Sequence, residues 1–144
     1  MVFMHELSRQ INMSPLSVER EAMRPSLILL AALSLPAFAA EKTGAEVYES
    51  TCQECHGSGK DKAPVFGDTK RWGKLVREGL NDLVPSALAG MRKMPAKGGN
   101  PALSDAEVAK AVIYMANAGG GRFSDPTEAD LARWRQKADK RKKK

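Results

Sequence analysis

The run Cys52-Gln53-Glu54-Cys55-His56 decides how the rest of this chain is read. On a helical turn, residues at i, i+3 and i+4 share one face, so two thiols and an imidazole are presented together. This is the C-x-x-C-H attachment signature of a c-type haem. The sulfurs form thioethers with the two vinyl groups of one porphyrin, and the imidazole reaches the iron. Three other chemistries use the same residue types. A structural zinc site takes four protein ligands, and no second Cys/His cluster accompanies this one. A redox-active cysteine pair belongs in a β-α-β setting, and no strand pattern precedes the motif. A disulfide between residues three apart closes a loop too short to stabilise much.

Upstream, Leu27 to Leu35 read LILLAALSL and end in Pro36-Ala37-Phe38-Ala39-Ala40. A short apolar run closed by a helix breaker and an A-x-A pattern is the core and cleavage site of a secretory signal peptide. It falls short of the roughly 20 apolar residues that span a bilayer. A buried core helix, the competing reading, sits poorly with Pro36. Cleavage after Ala39 places Ala37 and Ala39 at the two small-residue positions, so residues 1–39 are expected to be a leader. Between Met1 and Arg24 the basic Arg9, Arg20 and Arg24 are offset by Glu6, Glu19 and Glu21, whereas a start at Met23 leaves a short positive segment. Met23 is therefore the expected translational start. His5 departs with the leader, and His56 remains as the histidine of the mature chain. The signal predicts export to the periplasm, the side of the membrane where haem is joined to this motif.

Composition bounds the remainder. The chain has 144 residues, of which 42% are hydrophobic and 28% charged, which suits one globular domain and excludes wholesale disorder or a polytopic membrane protein. Collagen-like and disulfide-dense classes are excluded as well. Between residues 40 and 118 the aromatics are Tyr48, Phe66, Trp72 and Tyr114, a small set for a domain that must bury its own core. A porphyrin at the centre of the core would supply the missing apolar volume. The net charge of +6 is unevenly placed: residues 40–121 carry 11 basic and 10 acidic side chains, and residues 122–144 carry 9 and 4.

The periodicity predicts an all-α fold. A first helix runs from Thr43 into Cys52, and Gly57 to Asp68 reads as a loop. Lys70 to Glu78 forms a short helix ended by Gly79, and Leu83 to Leu88 another. Gly90 to Leu103 returns to loop. Ser104-Asp105-Ala106-Glu107 is a capping box before Val108, Ala111, Val112 and Met115 at helical spacing, with the helix ending near Gly119. Three methionines are candidates for the second axial ligand, since one histidine rules out bis-histidine ligation within one molecule. Met115 belongs to an apolar stripe and Met91 reads as a gap filler at a helix end. Met94, followed by Pro95 and a glycine-rich loop, is the expected ligand, with Met91 next.

Tyr48, the run Cys52 to His56, Ala63-Pro64, Gly67-Asp68, Trp72, the loop from Met94 to Pro101 and the ending Ala111 to Met115 together resemble a class I c-type cytochrome of the cytochrome c-five group. The resemblance covers about residues 44–118 and implies a small helical domain wrapped around one covalent haem c. By it, Cys52 and Cys55 anchor the haem, His56 and Met94 ligate the iron, and the Pro64 carbonyl accepts from the free His56 ring N–H. Trp72 has two readings, a donor to a haem propionate or a core packer. The expected domains are the leader 1–39, a monohaem domain 40–118, and a Gly-rich linker with a basic tail, 119–144.

The function that follows is one-electron transfer between a respiratory donor and an acceptor protein, without enzymatic turnover. Two alternatives stand beside it: a haem subunit docked by its tail to a larger complex, and an open sixth site acting on a gas or peroxide. In the tail, Asp125-Pro126-Thr127-Glu128 starts a helix carrying Leu131, Trp134 and Ala138 as a narrow apolar stripe. The tail reads either as a solvated, partly disordered extension or as a dock for an anionic membrane or acidic partner. Export argues against nucleic acid as a partner.

Overall fold

The computed structural model describes residues 40–142. The leader expected over residues 1–39, including the start at Met23, lies outside them. Among the described residues the architecture is helical, as the periodicity predicts. Helix α1 (Gly44–Val47) widens into a π-helical stretch, Tyr48–Cys52, and closes as α2 (Gln53–His56). Then follow α3 (Thr69–Glu78), α4 (Leu80–Ala89), α5 (Asp105–Ala118) and α6 (Glu128–Lys142). No described helix is long and apolar enough to cross a membrane.

Local chemistry sets these boundaries. Thr43 and Glu46 form a capping box at α1, and Ser104 and Glu107 form the expected one at α5. The Asp68 carboxylate accepts from the Arg71 amide at the start of α3. Gly79, at φ 76°, ends α3 and lets α4 begin at Leu80. Helix α4 thus starts three residues before its expected position and runs through Pro85. A proline lacks the N–H that an interior helical position would use, so the sequence gives a shorter helix.

Helices α1 and α5 cross at close range. A Cβ at Gly44 would collide with the Lys110 carbonyl, so the crossing depends on a residue without a side chain. Glu41 pairs with Lys110 at 2.5 Å beside it. The core gathers Val47, Val84, Leu88, Val108 and Val112, while Tyr48, Trp72, Met115 and Ala116 form a second apolar cluster.

The C-terminal segment departs from expectation. Residues 119–144 were expected to leave the domain as a linker and tail; instead α6 lies along α4 and also touches α5. Its stripe is core: Trp134 is 2% exposed, Ala138 is fully buried, and Leu131 packs beside them. The cap is Thr127, reciprocally bonded with Asp130, rather than Asp125. The Trp134 indole N–H donates to Asn81 Oδ1 at 2.8 Å. Several of the cations assigned to a free tail are engaged. Lys137 and Arg141 reach Asp82 on α4 at 2.9 and 2.8 Å, and Arg135 grips Asp105. The reading of a solvated, partly disordered tail is corrected accordingly: an apolar stripe with acids opposite its flanks folds onto its own domain.

Two outcomes follow for stability. Trp134→Ala should cost about 3 kcal/mol, the usual range for an aromatic removed from a packed core, read by denaturant unfolding. The Lys137 ammonium, aided by Arg141, holds the Asp82 carboxyl below the usual carboxylate range. A depressed folded-state value gives stability that is complete above the unfolded value and lost as pH falls through the folded one. Thermal midpoints of the wild type and Asp82→Asn should therefore differ at neutral pH and converge below about pH 4.

Candidate haem-binding site

Cys52, Cys55 and His56 lie within one turn at the junction of the π-helical stretch and α2. Both cysteines are half-buried and free of any disulfide. Burial, with the Cys55 charge as a second cause, pushes the Cys52 thiol up to about 11. A reactive dithiol pair requires the opposite shift, so the redox-pair reading loses support. The zinc reading loses it too: among the described residues no group of three or more His, Cys, Asp or Glu side chains converges.

His56 is 7% exposed and oriented by the loop that follows it. Its Nδ1 donates to the Pro64 carbonyl at 2.9 Å, which leaves Nε2 as the ring nitrogen available to a metal. The Phe66 amide donates back to the His56 carbonyl at 2.7 Å. Between these contacts, the Val65 carbonyl accepts from the Trp72 indole N–H at 2.8 Å. Three consecutive residues thus clamp the histidine and tie it to α3. Of its two readings, Trp72 takes the packing one here: it is 3% exposed, and its N–H is committed to Val65. The partner carbonyl at Val65 was not legible, because a sequence does not tell which acceptor an indole will meet.

The loop after α4 lines a cleft beside Cys52. Met91 and Met94 exchange backbone hydrogen bonds of 2.9 Å in each direction around a tight turn whose Arg92 is left-handed, at φ 56°. The turn separates the two sulfurs. Met91 is 50% exposed, whereas Met94 packs against the main core cluster. Met94 and Cys52 line the same cleft, together with Val47, Leu103, Val108 and Val112. The donor set fits the group implied by the motif: two thiols for thioethers and one imidazole nitrogen on a single turn, and one thioether sulfur in the apolar cleft that Cys52 also lines. Lys97, which the sequence reading passed over, also lines the cleft. Its left-handed φ of 53° in a glycine-rich loop is the feature that sets it apart.

One C-x-x-C-H turn, an oriented histidine and a methionine-bearing strap within an all-helical domain are the features of a small monohaem c-type cytochrome. The chain belongs to the cytochrome c family whose model, described as "Cytochrome C oxidase, cbb3-type, subunit III", matches residues 39–115. Cytochrome c-555 of Chlorobaculum thiosulfatiphilum is 41% identical over 76 residues, covering 50% of this chain and 88% of that protein. Cytochrome c5 of Azotobacter vinelandii is 34% identical over 76 residues, covering 51% of this chain and 92% of that protein. Among solved structures, the chain is similar to one in the crystal structure of an electron transfer complex of nitrite reductase with cytochrome c. There the TM-score is 0.52 and the identity 34%, over 56% of this chain and 99% of that one. A class I fold with covalent haem c and its iron, working as a haem-based electron carrier, is what this membership entails.

The Trp72 to Val65 bond gives a direct test. Trp72→Phe keeps an aromatic side chain but removes the indole donor, leaving the half-buried Val65 carbonyl with the Asp68 amide as its partner, at a cost of about 0.5 to 1.5 kcal/mol in denaturant unfolding of the holoprotein. The haem-to-chain ratio should stay unchanged.

Proposed function

We propose that this chain is a periplasmic one-electron carrier whose haem iron is ligated by His56 and Met94, serving a respiratory donor and acceptor. The carrying observation is that Met94, on a closed turn, lines one apolar cleft with Cys52, and that His56, one helical turn beyond Cys52, is held at Nδ1 by Pro64. When bound, the haem supplies a one-electron iron couple, and a methionine partner to histidine raises its potential.

The chain's own residues do the rest. Cys52 and Cys55 fix the haem by covalent bonds. The Pro64 carbonyl sets the tautomer and orientation of His56 and increases its basicity as a ligand. Val47, Leu103, Val108 and Val112 exclude water, so a change of charge in the site reorganises little solvent. With two protein ligands no coordination position is left for a substrate, which favours electron transfer over action on a gas or peroxide. The apolar run ending at Ala39 and the motif that follows it support export, with cleavage after Ala39. The nitrite reductase complex of the similar cytochrome c supports redox proteins as partners.

The ligand assignment is tested by oxidised spectra. Met94→Ala should abolish the long-wavelength absorption band of methionine-ligated ferric haem, and Met91→Ala should keep it. Retention of the band in Met94→Ala overturns the assignment.

A further inference from the structure

The family match ends at Met115, yet α6, which lies beyond it, is linked through two ion pairs to the strap that carries Met94. Arg135 donates from Nε to Asp105 Oδ2 at 2.5 Å and from Nη2 to Oδ1. This is a two-point grip that a lysine does not reproduce. Asp105 is the first residue of α5, and its Oδ1 lies 3.5 Å from Lys97 Nζ. Lys97 also donates to the Leu103 carbonyl at 2.5 Å and lines the cleft beside Met94. Its backbone is left-handed, at φ 53°, a conformation disfavoured for a residue with a Cβ. The strap therefore holds this shape against a local backbone preference, and its side-chain anchors do the holding.

We propose that α6 braces the methionine strap: Arg135, acting through Asp105 and Lys97, is a positioning residue that keeps Met94 at the iron. The inference rests on the reading of Met94 as the distal ligand. Burial works to raise the Asp105 carboxyl, but Arg135 and Lys97 outweigh it and hold the group ionised. Lys137 and Arg141 dock the same helix on Asp82 without touching Asp105, so docking and bracing are separable.

An added imidazole binds the iron only when the strap is open, so its apparent affinity is set by the open fraction. Ferric holoprotein is titrated with imidazole and followed by loss of the methionine–iron band. Arg135→Ala should raise the apparent affinity about five- to ten-fold, within the usual range for coupling between two sites. Arg135→Lys should recover part of the wild-type value. Lys97→Gln should raise the affinity alone and leave little further effect for Arg135→Ala, the non-additivity expected of one linked network. Lys137→Ala should lower thermal stability while leaving imidazole affinity within about two-fold.

Unchanged affinity in Arg135→Ala overturns the brace, as does an equal rise in Lys137→Ala at matched loss of stability. Should Arg135→Ala fail to take up haem, Asp105→Asn reads the same link. A wild type without the methionine–iron band overturns the ligand reading and the brace with it. A wild type that shows the band, with Arg135→Ala silent, overturns the brace alone.

Discussion

The proton on His56 Nδ1 is committed to the Pro64 carbonyl, 2.9 Å away, and the remainder of the site depends on that commitment. A histidine with both ring nitrogens free can turn; one held at Nδ1 presents Nε2 in a fixed direction. The clamp is stiff because it is not a single bond. Phe66 closes back on the His56 carbonyl, and Val65, between the two, is fastened to the indole of Trp72. Trp72 in turn packs with Tyr48, Met115 and Ala116, so the orientation of one imidazole is underwritten by contacts from the π-helical stretch, α3 and α5.

The methionine strap is built differently. Met94 is carried not by a helix but by a short strap with left-handed residues at Arg92, Lys97 and Gly98. Irregular backbone of this kind lets a lone sulfur project toward a cleft, and it needs external anchors. Some come from the core cluster against which Met94 packs, others from Lys97. Helix α6 then adds to a domain whose family core ends before it: Trp134 enlarges the apolar interior, and its flanking cations meet Asp82 and Asp105. The small aromatic content that points to a haem-filled core is thus supplemented from a segment outside the family match.

How much was legible in the sequence follows from whether the information was local. The turn bearing Cys52, Cys55 and His56, the Ser104 cap of α5 and the all-helical fold could be read because spacing and capping act over a few residues. The course of α4 could not, since the proline in its interior argues locally against a helix that packing supports. The fate of α6 was half legible: Leu131, Trp134 and Ala138 announce an apolar stripe, but the acids that neutralise its flanks stand on α4 and at the start of α5. Net charge counted along the tail therefore points to a free basic surface, whereas in space Arg133, Arg135, Lys137 and Arg141 are paired with acids. Trp72 stays open in the sequence for a related reason, since its two readings differ only in which acceptor lies near the indole.

The central claim is that Cys52 and Cys55 exist to anchor one haem covalently. Intact-mass measurement of the exported protein after acid–acetone extraction tests it most directly. The expected result is a chain beginning at Ala40 that retains the mass of one haem, and loss of that added mass when Cys52→Ser and Cys55→Ser are combined. A haem-free mass for the wild-type chain, or haem recovered wholly in the extract, would contradict it.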